Sequence, residues 1–504
     1  MVQSPIDELD ATSTLAALEA GVSRRRAAEV EDLLLVAHWA VLQGTDPRLD
    51  PRPVPGLPRP PGGDRLDQVG GEGTPKVREL SLCELGIARG VHTLAARAVT
   101  ADTLDLVHRL PDTWSKVVDL ECQPWLARKV ASLTRHLSPE AVGLVDAAVA
   151  AAIGSEAPSR VIAIAEAKII EADPAAHAER IRGEQHRRHV SLTRTDEVGL
   201  RTVIARVTAG QAVWVDAMIT RVAEILAVRP EYDGASADLL RSIAFGWLAR
   251  PADLLTLLLE STDIPAAVGD EPDTATDQDE DGEPLEPDEQ VGPCRAVALP
   301  ADLLEALRTL DPVRLRPDAK LYVHLHEATL AGVVSGVARV EDLGPHLLAQ
   351  VRDLLAHANV TTVPVIDIAQ MVSVNAYDHP EGLKERIRLA RPVDAFPHAC
   401  RVSRKVDLDH PIPYDPGGPP GQTNSHTSQP LGRTGHRAKT HLGYTCTPLP
   451  TGETVWQTPH GRHRLVDNHG THHLTQDDYT ALTSHDPLDR ALTRRLIKAR
   501  TGRL

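Results

Sequence analysis

The chain has 504 residues, enough for two to four domains, with 42% hydrophobic and only 3% aromatic residues and a net charge of −16. So few aromatics mean cores of Leu, Val and Ala, which favours helices, and the negative total gives no bulk support for nucleic-acid binding. Five scattered cysteines (Cys83, Cys122, Cys294, Cys400, Cys446) form no CxxC pair, which excludes a disulfide framework and fits a reducing cytoplasm.

The first residues, MVQSPIDELDATSTLAALEAG, carry Asp and Glu where a signal peptide needs a basic start and an apolar run. The longest apolar candidate, Leu33–Leu42, is short and holds His38 and Trp39. No membrane span is expected, and a cytoplasmic location follows. Residues 1–44 read as two helices, the second over Ala27–Leu42 with Val30, Leu33, Leu34 and Ala37 at helical spacing. The proline-rich PRLDPRPVPGLPRPPGGD then closes a first region, 1–73, as a linker.

From Thr74 to Thr262 the pattern is helical throughout. Ser138-Pro139-Glu140 is a helix start, with an N-cap, a proline at the first position and a first-turn acid. Val142, Val145 and Val149 follow on one face, and Val215, Met218, Val222 and Ile225 make a second stripe. Both stripes read as packed core. Asp263 to Glu289 then holds 12 acidic residues and no Lys or Arg, leaving −4 for everything else. Such a run, within 263–291, cannot bury enough surface to order itself and reads as a solvated tether, preferred over a mimic of nucleic acid that covers a basic site.

Residues 292–390 form an α/β segment. Leu321, Val323 and Leu325 alternate with Tyr322, His324 and His326 as a half-buried strand, with the two histidines on its polar face. Pro345–His357 reads as a helix, and Val360–Ile368 as an edge strand containing Pro364.

The stretch from Asp407 to His441, DLDHPIPYDPGGPPGQTNSHTSQPLGRTGHRAKTH, carries the chemistry. Cutting a phosphodiester needs a divalent ion to stabilise phosphate charge, a base to activate water, and cations to hold the strand. Asp409 and His436 supply metal ligands, His410 a base, and Arg433, Arg437 and Lys439 phosphate-binding cations. Asp407, two residues before Asp409 and on the same strand face, is a second carboxylate for the outer shell. From Arg391 to Gly470 there are nine Lys/Arg against six Asp/Glu, plus eight His, so this segment is mildly basic. The DPGGPPGQ loop lacks GK[ST] and a following helix, and so is a connection rather than a phosphate loop.

DLDHPIPY, PLGRTGHRAKTH and TVWQTPHGRHRLVD together resemble the HNH endonucleases of a bacterial family with an N-terminal domain of unknown function 222, also called the 13E12-repeat family. HRLPDTW at His108–Trp114 and GVARVEDLGP at Gly336–Pro345 extend the resemblance over roughly Arg78 to Asp467. It implies His410 as general base and Asp409 and His436 as metal ligands. The family's middle Asn, which orients the catalytic His, falls on Thr427 in an ungapped register; Asn424 takes the column if the loop shifts by three residues. Family members often add two Cys pairs that build a structural zinc site. Here Cys400 stands alone and Gly432 and Gly435 lie where the second pair would sit, so structural zinc is not expected.

After His441 the chain reads as a β-meander with turns at Pro450–Gly452 and Pro459–Gly461. Trp456 packs in a core on this reading rather than stacking on a base. His460, His463, His469, His472 and His473 are assigned solvent-facing roles. Thr471–Leu504 is a polar tail or short helix.

The expected fold is multidomain α+β: a mainly helical N-terminal region with a domain over 74–262, an α/β segment over 292–390, and a C-terminal ββα-metal nuclease core with its β-meander over 391–470, then a tail over 471–504. The expected activity is metal-dependent endonucleolytic cleavage of DNA with Mg²⁺ or Mn²⁺. The competing expectation is a nucleic-acid-binding or mobile-element-associated protein that keeps the fold as a scaffold. No membrane partner is expected, and no protein partner of the helical domain can be named.

Overall fold

The computed structural model describes residues 6, 9–50, 61–193, 196, 200–262, 309, 322–324, 337–341, 344–355, 368 and 370–500. The acidic run 263–291 and all but the last residue of the expected strand Val360–Ile368 lie outside these residues. The chain is mixed α+β, with a mainly helical N-terminal region and small antiparallel sheets. Met1–Arg182 packs with Val363–Leu504 as one unit, and Gly183–Thr362 forms a second. The stretch expected as one helical domain, 74–262, therefore falls across both.

The first unit opens with α1 (Ala11–Leu42), one 32-residue helix where two were expected. Asp10 caps it, accepting from the Ser13 backbone N–H at 2.7 Å. No proline interrupts the run, and the single Gly21 costs too little to break it. Val30, Leu33, Val36 and Ala40 face inward, while Leu34 is exposed. A two-residue ladder joins β1 (Leu66–Asp67) to β2 (Val77–Arg78). Then come α2 (Ser81–Arg89), α3 (Thr93–Arg109), α4 (Pro111–Val118), α5 (Pro124–Thr134), α6 (Pro139–Ala152), α7 (Pro158–Ala172) and α8 (Pro174–Gln185). Prolines at 111, 124, 139 and 158 start α4 to α7 where a missing N–H costs nothing. Ser138 caps α6, and Val142, Val145 and Val149 are buried as the sequence predicts. Helices α1, α3, α5, α6 and α7 enclose the main core.

That core holds a buried ion network. Asp105 accepts from Arg135 Nε at 2.6 Å and from the Gly71 N–H at 2.7 Å. Asp102 pairs with Arg135 at 2.7 Å and Arg128 at 3.0 Å. Arg109 reaches the carbonyls of Arg135 at 2.8 Å and Leu137 at 2.6 Å. Each charge of this network thus has an opposite charge or a carbonyl, the condition for burying it at all.

The second unit contains a hairpin of β3 (His189–Leu192) and β4 (Val203–Arg206), then α9 (Ala209–Ala227), α10 (Ala237–Trp247) and α11 (Pro251–Thr262). The hairpin corrects the expectation of helix throughout 74–262. Of the second stripe only Val222 and Ile225 are buried; Val215 and Met218 are exposed. A small sheet follows: β5 (Val323–His324), β6 (Val337–Val340) and β7 (Gly344–Leu347), with α12 (Leu348–Leu355). The helix expected from Pro345 starts three residues later, because Pro345 to Leu347 pair with Arg339 to Val337. His324 is not a free polar face: its Nε2 lies 2.8 Å from Glu341.

The C-terminal part of the first unit runs β8 (Ser373–Val374), α13 (Glu381–Ala390), β9 (Asp407–Asp409), β10 (Thr423–Asn424), β11 (Gln429–Leu431) and α14 (Arg433–Leu442). The expected meander follows as β12 (Thr445–Pro448), β13 (Thr454–Gln457), β14 (His463–Asp467) and β15 (Gly470–Leu474). The last strand takes in Thr471 to Leu474, which the sequence reading left to a tail; two helices, α15 (Gln476–Thr483) and α16 (Pro487–Arg500), complete the chain's described part. Trp456 is fully buried and donates from Nε1 to the Ala395 carbonyl at 2.9 Å.

Helix α2 belongs to both halves of this unit. Its Cys83 and Ile87 pack with Phe396, Leu431, Ala438, Tyr444 and Trp456 in one core. Its buried Glu84 accepts from the Thr458 hydroxyl and from the His460 N–H at 3.1 Å, and its Oε2 lies 2.7 Å from His460 Nδ1. Arg464 donates to the Ile87 carbonyl at 2.9 Å.

Candidate functional site

Strand β9 pairs antiparallel with β11 in the register Asp409↔Gln429, Leu408↔Pro430 and Asp407↔Leu431, and α14 follows directly. The result is a strand–strand–helix unit with Asp409 at the end of one strand. Gly432 begins the helix, its N–H donating to Asp394 Oδ2 at 3.2 Å. Burial pushes the Asp394 carboxyl up to about 6 against that bond and the one from Phe396. Gly432 and Gly435 are packed: a Cβ would come within 2.7 Å of Asp394 Oδ2 and of Phe396 Cδ2 respectively. A side chain at either position would force its neighbour to shift.

His436 and Lys439, three residues apart on α14, share a face, and both meet Asp409. Asp409 is 3% exposed. Lys439 Nζ donates to its two oxygens at 2.7 and 2.6 Å and also to the His410 carbonyl. His436 Nε2 lies 3.2 Å from Asp409 Oδ1, and Gln429 Nε2 donates to Oδ2 at 3.2 Å. Burial alone would raise this carboxyl, but the bond with His436, followed by Lys439 and Gln429, outweighs it and holds the group below the ordinary carboxylate range.

The His410 ring enters an adjoining cleft of about 500 Å³ whose lining includes Tyr377, His379, Lys384 and Arg388, but neither Asp409 nor His436. So the three residues first read as one centre divide: Asp409 and His436 meet, and His410 lines the neighbouring space. Thr423 fixes the ring. Its hydroxyl donates to the Ala376 carbonyl at 2.6 Å, so it can only accept at the 2.8 Å contact with His410 Nε2. His410 must then carry its proton on Nε2, leaving Nδ1 as the acceptor. Burial holds the imidazole below its usual pKa, with Asp409 opposing and Lys439 reinforcing. Tyr377 stacks on the ring at 5.4 Å and Tyr414 lies 5.7 Å away. His379, buried, sits 4.7 Å from it and contacts Ser428 Oγ at 2.9 Å. Burial first, then repulsion from His410, lowers His379 to about 4.

Asn424, not Thr427, braces the loop. Its Oδ1 accepts from the N–H groups of His426 at 3.0 Å and Thr427 at 2.9 Å, and its Nδ2 donates to the Gly421 carbonyl at 2.9 Å. Thr427 contributes a backbone N–H.

Each predicted phosphate-binding cation already has a carboxylate. Arg433, almost fully exposed, pairs with exposed Asp407 at 3.1 Å. Arg437 makes a two-pronged pair with Glu79 at 3.0 and 3.1 Å and also reaches the Gly62 carbonyl at 2.8 Å. Lys439 is held by Asp409. Asp407 is thus engaged with Arg433 rather than with the Asp409–His436 pair. The trailing histidines are less solvent-facing than expected: His463 is buried and stacked on Tyr479 at 4.2 Å, and His472 lies 3.2 Å from Asp467.

Thr423, Tyr377, His379, Lys384 and Arg388 escaped the sequence reading. Lys384 and Arg388 carried a usable signal, two cations four apart on an amphipathic helix just before the motif; Thr423 carried none.

No group of three or more His, Cys, Asp or Glu side chains converges among the described residues. Asp409 and His436 nevertheless offer one hard oxygen and one nitrogen donor at a point that already holds a cation, the Lys439 ammonium. That fits a single, largely hydrated divalent ion, which needs only one or two protein ligands, in exchange for the ammonium. No helix among the described residues is long and apolar enough to cross a membrane. No family model, curated protein or solved structure matches the chain.

Proposed function

We propose that this chain is an HNH-type endonuclease that hydrolyses phosphodiester bonds in DNA, with Mg²⁺ or Mn²⁺ as its ion. One observation carries the reading: His410, at the end of a strand–strand–helix unit and next to Asp409, has its proton fixed on Nε2 by Thr423 and its other ring nitrogen left as acceptor. An imidazole whose pKa is held down by burial is a base at neutral pH. His410 Nδ1 accepts a proton from water, the hydroxide attacks phosphorus in line, and the bond to the 3′ oxygen breaks. Asp409 and His436 would hold the ion, which when bound supplies Lewis-acid stabilisation of phosphate charge. Lys439 must leave Asp409 for this to happen, and is then placed to contribute positive charge itself.

The test is nicking of a supercoiled plasmid with Mg²⁺ or Mn²⁺, set against a chelator control. His410→Ala should slow cutting by about 10²–10⁴-fold, the usual scale for losing a general base, with metal affinity unchanged. A purified His410→Ala protein that cuts as fast as its parent would sink the assignment.

A second reading, a nucleic-acid-binding protein that does not cut, draws on the ammonium that takes both Asp409 oxygens. It predicts a mobility shift in chelator and no nicking at any metal concentration.

A further inference from the structure

We infer that the cleft beside His410 takes an unpaired nucleotide, so that the DNA this chain acts on is single-stranded or locally opened; this rests on the reading of His410 as the hydrolytic base. The cleft encloses about 500 Å³, within the roughly 300–1,000 Å³ of small-ligand sites. Tyr377 stands at its edge 63% exposed, with its ring stacked on His410 at 5.4 Å and edge-on to Tyr414 at 5.6 Å. Those two contacts hold the ring's plane while most of its surface meets solvent. An exposed aromatic ring held this way is a platform for a base. In a duplex each base face is covered by its neighbour, so only an unpaired base can use it.

The lining also holds two cations that can meet a phosphate. Lys384 and Arg388, four residues apart on α13, both line the cleft. Among the described residues Lys384 pairs with the exposed Glu381, at 2.6 Å. Arg388 lines the cleft too, and a guanidinium fork can grip an oxyanion at two points. Asp378 and Asp407 also line the cleft, so its charge is not uniformly positive. That pattern suits one phosphate at a defined point rather than a continuous backbone track. Tyr377 therefore takes the base and Arg388 and Lys384 the adjoining phosphate, in the cleft that His410 also lines.

The probes are a single-stranded oligodeoxynucleotide with one 2-aminopurine and a hairpin duplex of the same length, both bound in chelator so that no cutting is needed. The single strand should bind the full chain at least about tenfold more tightly than the duplex, and 2-aminopurine fluorescence should be quenched on binding. Tyr377→Ala should lower single-strand affinity about tenfold and abolish the quench, whereas Tyr377→Phe should keep both. Arg388→Gln should weaken binding and flatten its salt dependence. Equal affinity for the two probes, or an unquenched 2-aminopurine on the wild-type chain, would overturn the inference. Plasmid nicking separates the two readings. A Tyr377→Ala protein that nicks duplex plasmid at the parent rate keeps the nuclease and removes the nucleotide site. Tight, quenched single-strand binding with no cutting under any metal keeps the site and removes the nuclease.

Discussion

Thr423 has one hydroxyl hydrogen and gives it to the Ala376 carbonyl, and from that follows the tautomer of His410. Thr423→Val keeps the shape and removes the acceptor, so the ring loses its anchor; cleavage should fall about 10²-fold, since small misplacements of a catalytic group cost that much. Thr423→Ser should retain the rate. The pH–rate profile distinguishes positioning from general damage, because only loss of the anchor should move its acid limb. His379 offers a second measurement. Its ordinary value of 6.5 is lowered to about 4 in the fold. Between these values the unfolded chain binds a proton that the folded chain refuses, so stability should fall as pH drops from 6.5 to about 4 and level out below. His379→Asn should flatten that part of the stability curve, and an unchanged slope would assign it to other groups. At this scale the sequence marked Asp409, His410 and His436 as candidates, because their types and order match the motif. It did not display Thr423 or His379, whose roles come from a carbonyl 47 residues away and a serine 49 residues away.

The loop between β9 and β11 depends on one side chain for its shape. Asn424→Ala removes three hydrogen bonds at a buried position and should abolish activity, while Thr427→Asn should do nothing, since only the Thr427 backbone is used. Comparing the two nicking rates decides between the registers open in the sequence. Helix α14 is set by a close approach: the face carrying Gly435 and Ala438 is buried, and a Cβ at Gly435 would sit 2.7 Å from Phe396. Gly435→Ala should lower stability by about 1–3 kcal/mol, the range for overpacking a core, measured by urea unfolding. The meander was legible because its turns are marked by Pro and Gly. The short β11, only Gln429 to Leu431 with a central proline, offers no period to detect. Nor did periodicity reveal that α1 is continuous, since its buried residues, Val30, Leu33, Val36 and Ala40, all fall in its second half.

The largest discrepancy lies at the scale of the whole first unit. Sequence boundaries set a nuclease module over 391–470 apart from a helical domain over 74–262, yet α2 supplies Cys83 and Ile87 to the core of that module, and Glu79, just before α2, pairs with Arg437. A fragment of residues 391–504 should therefore expose the faces of Phe396, Leu431 and Trp456 and fail to unfold cooperatively. Adding residues 61–182 in trans should restore a sharp melting transition, and a fragment that melts sharply by itself would overturn this account. Nothing local announces such a contact: Glu84 and Thr458 are 374 residues apart in sequence, and a buried helix face looks the same whichever partner covers it. That separation also has a consequence in time. A ribosome adding about 5–20 residues per second makes Glu84 roughly 20–75 s before Thr458. Throughout that interval Cys83 and Ile87 are without their covering residues, a sticky surface suited to a holding chaperone. The candidate catalytic pocket cannot assemble before His410 and His436 have been made, so a chain cut short ahead of them would be born without it.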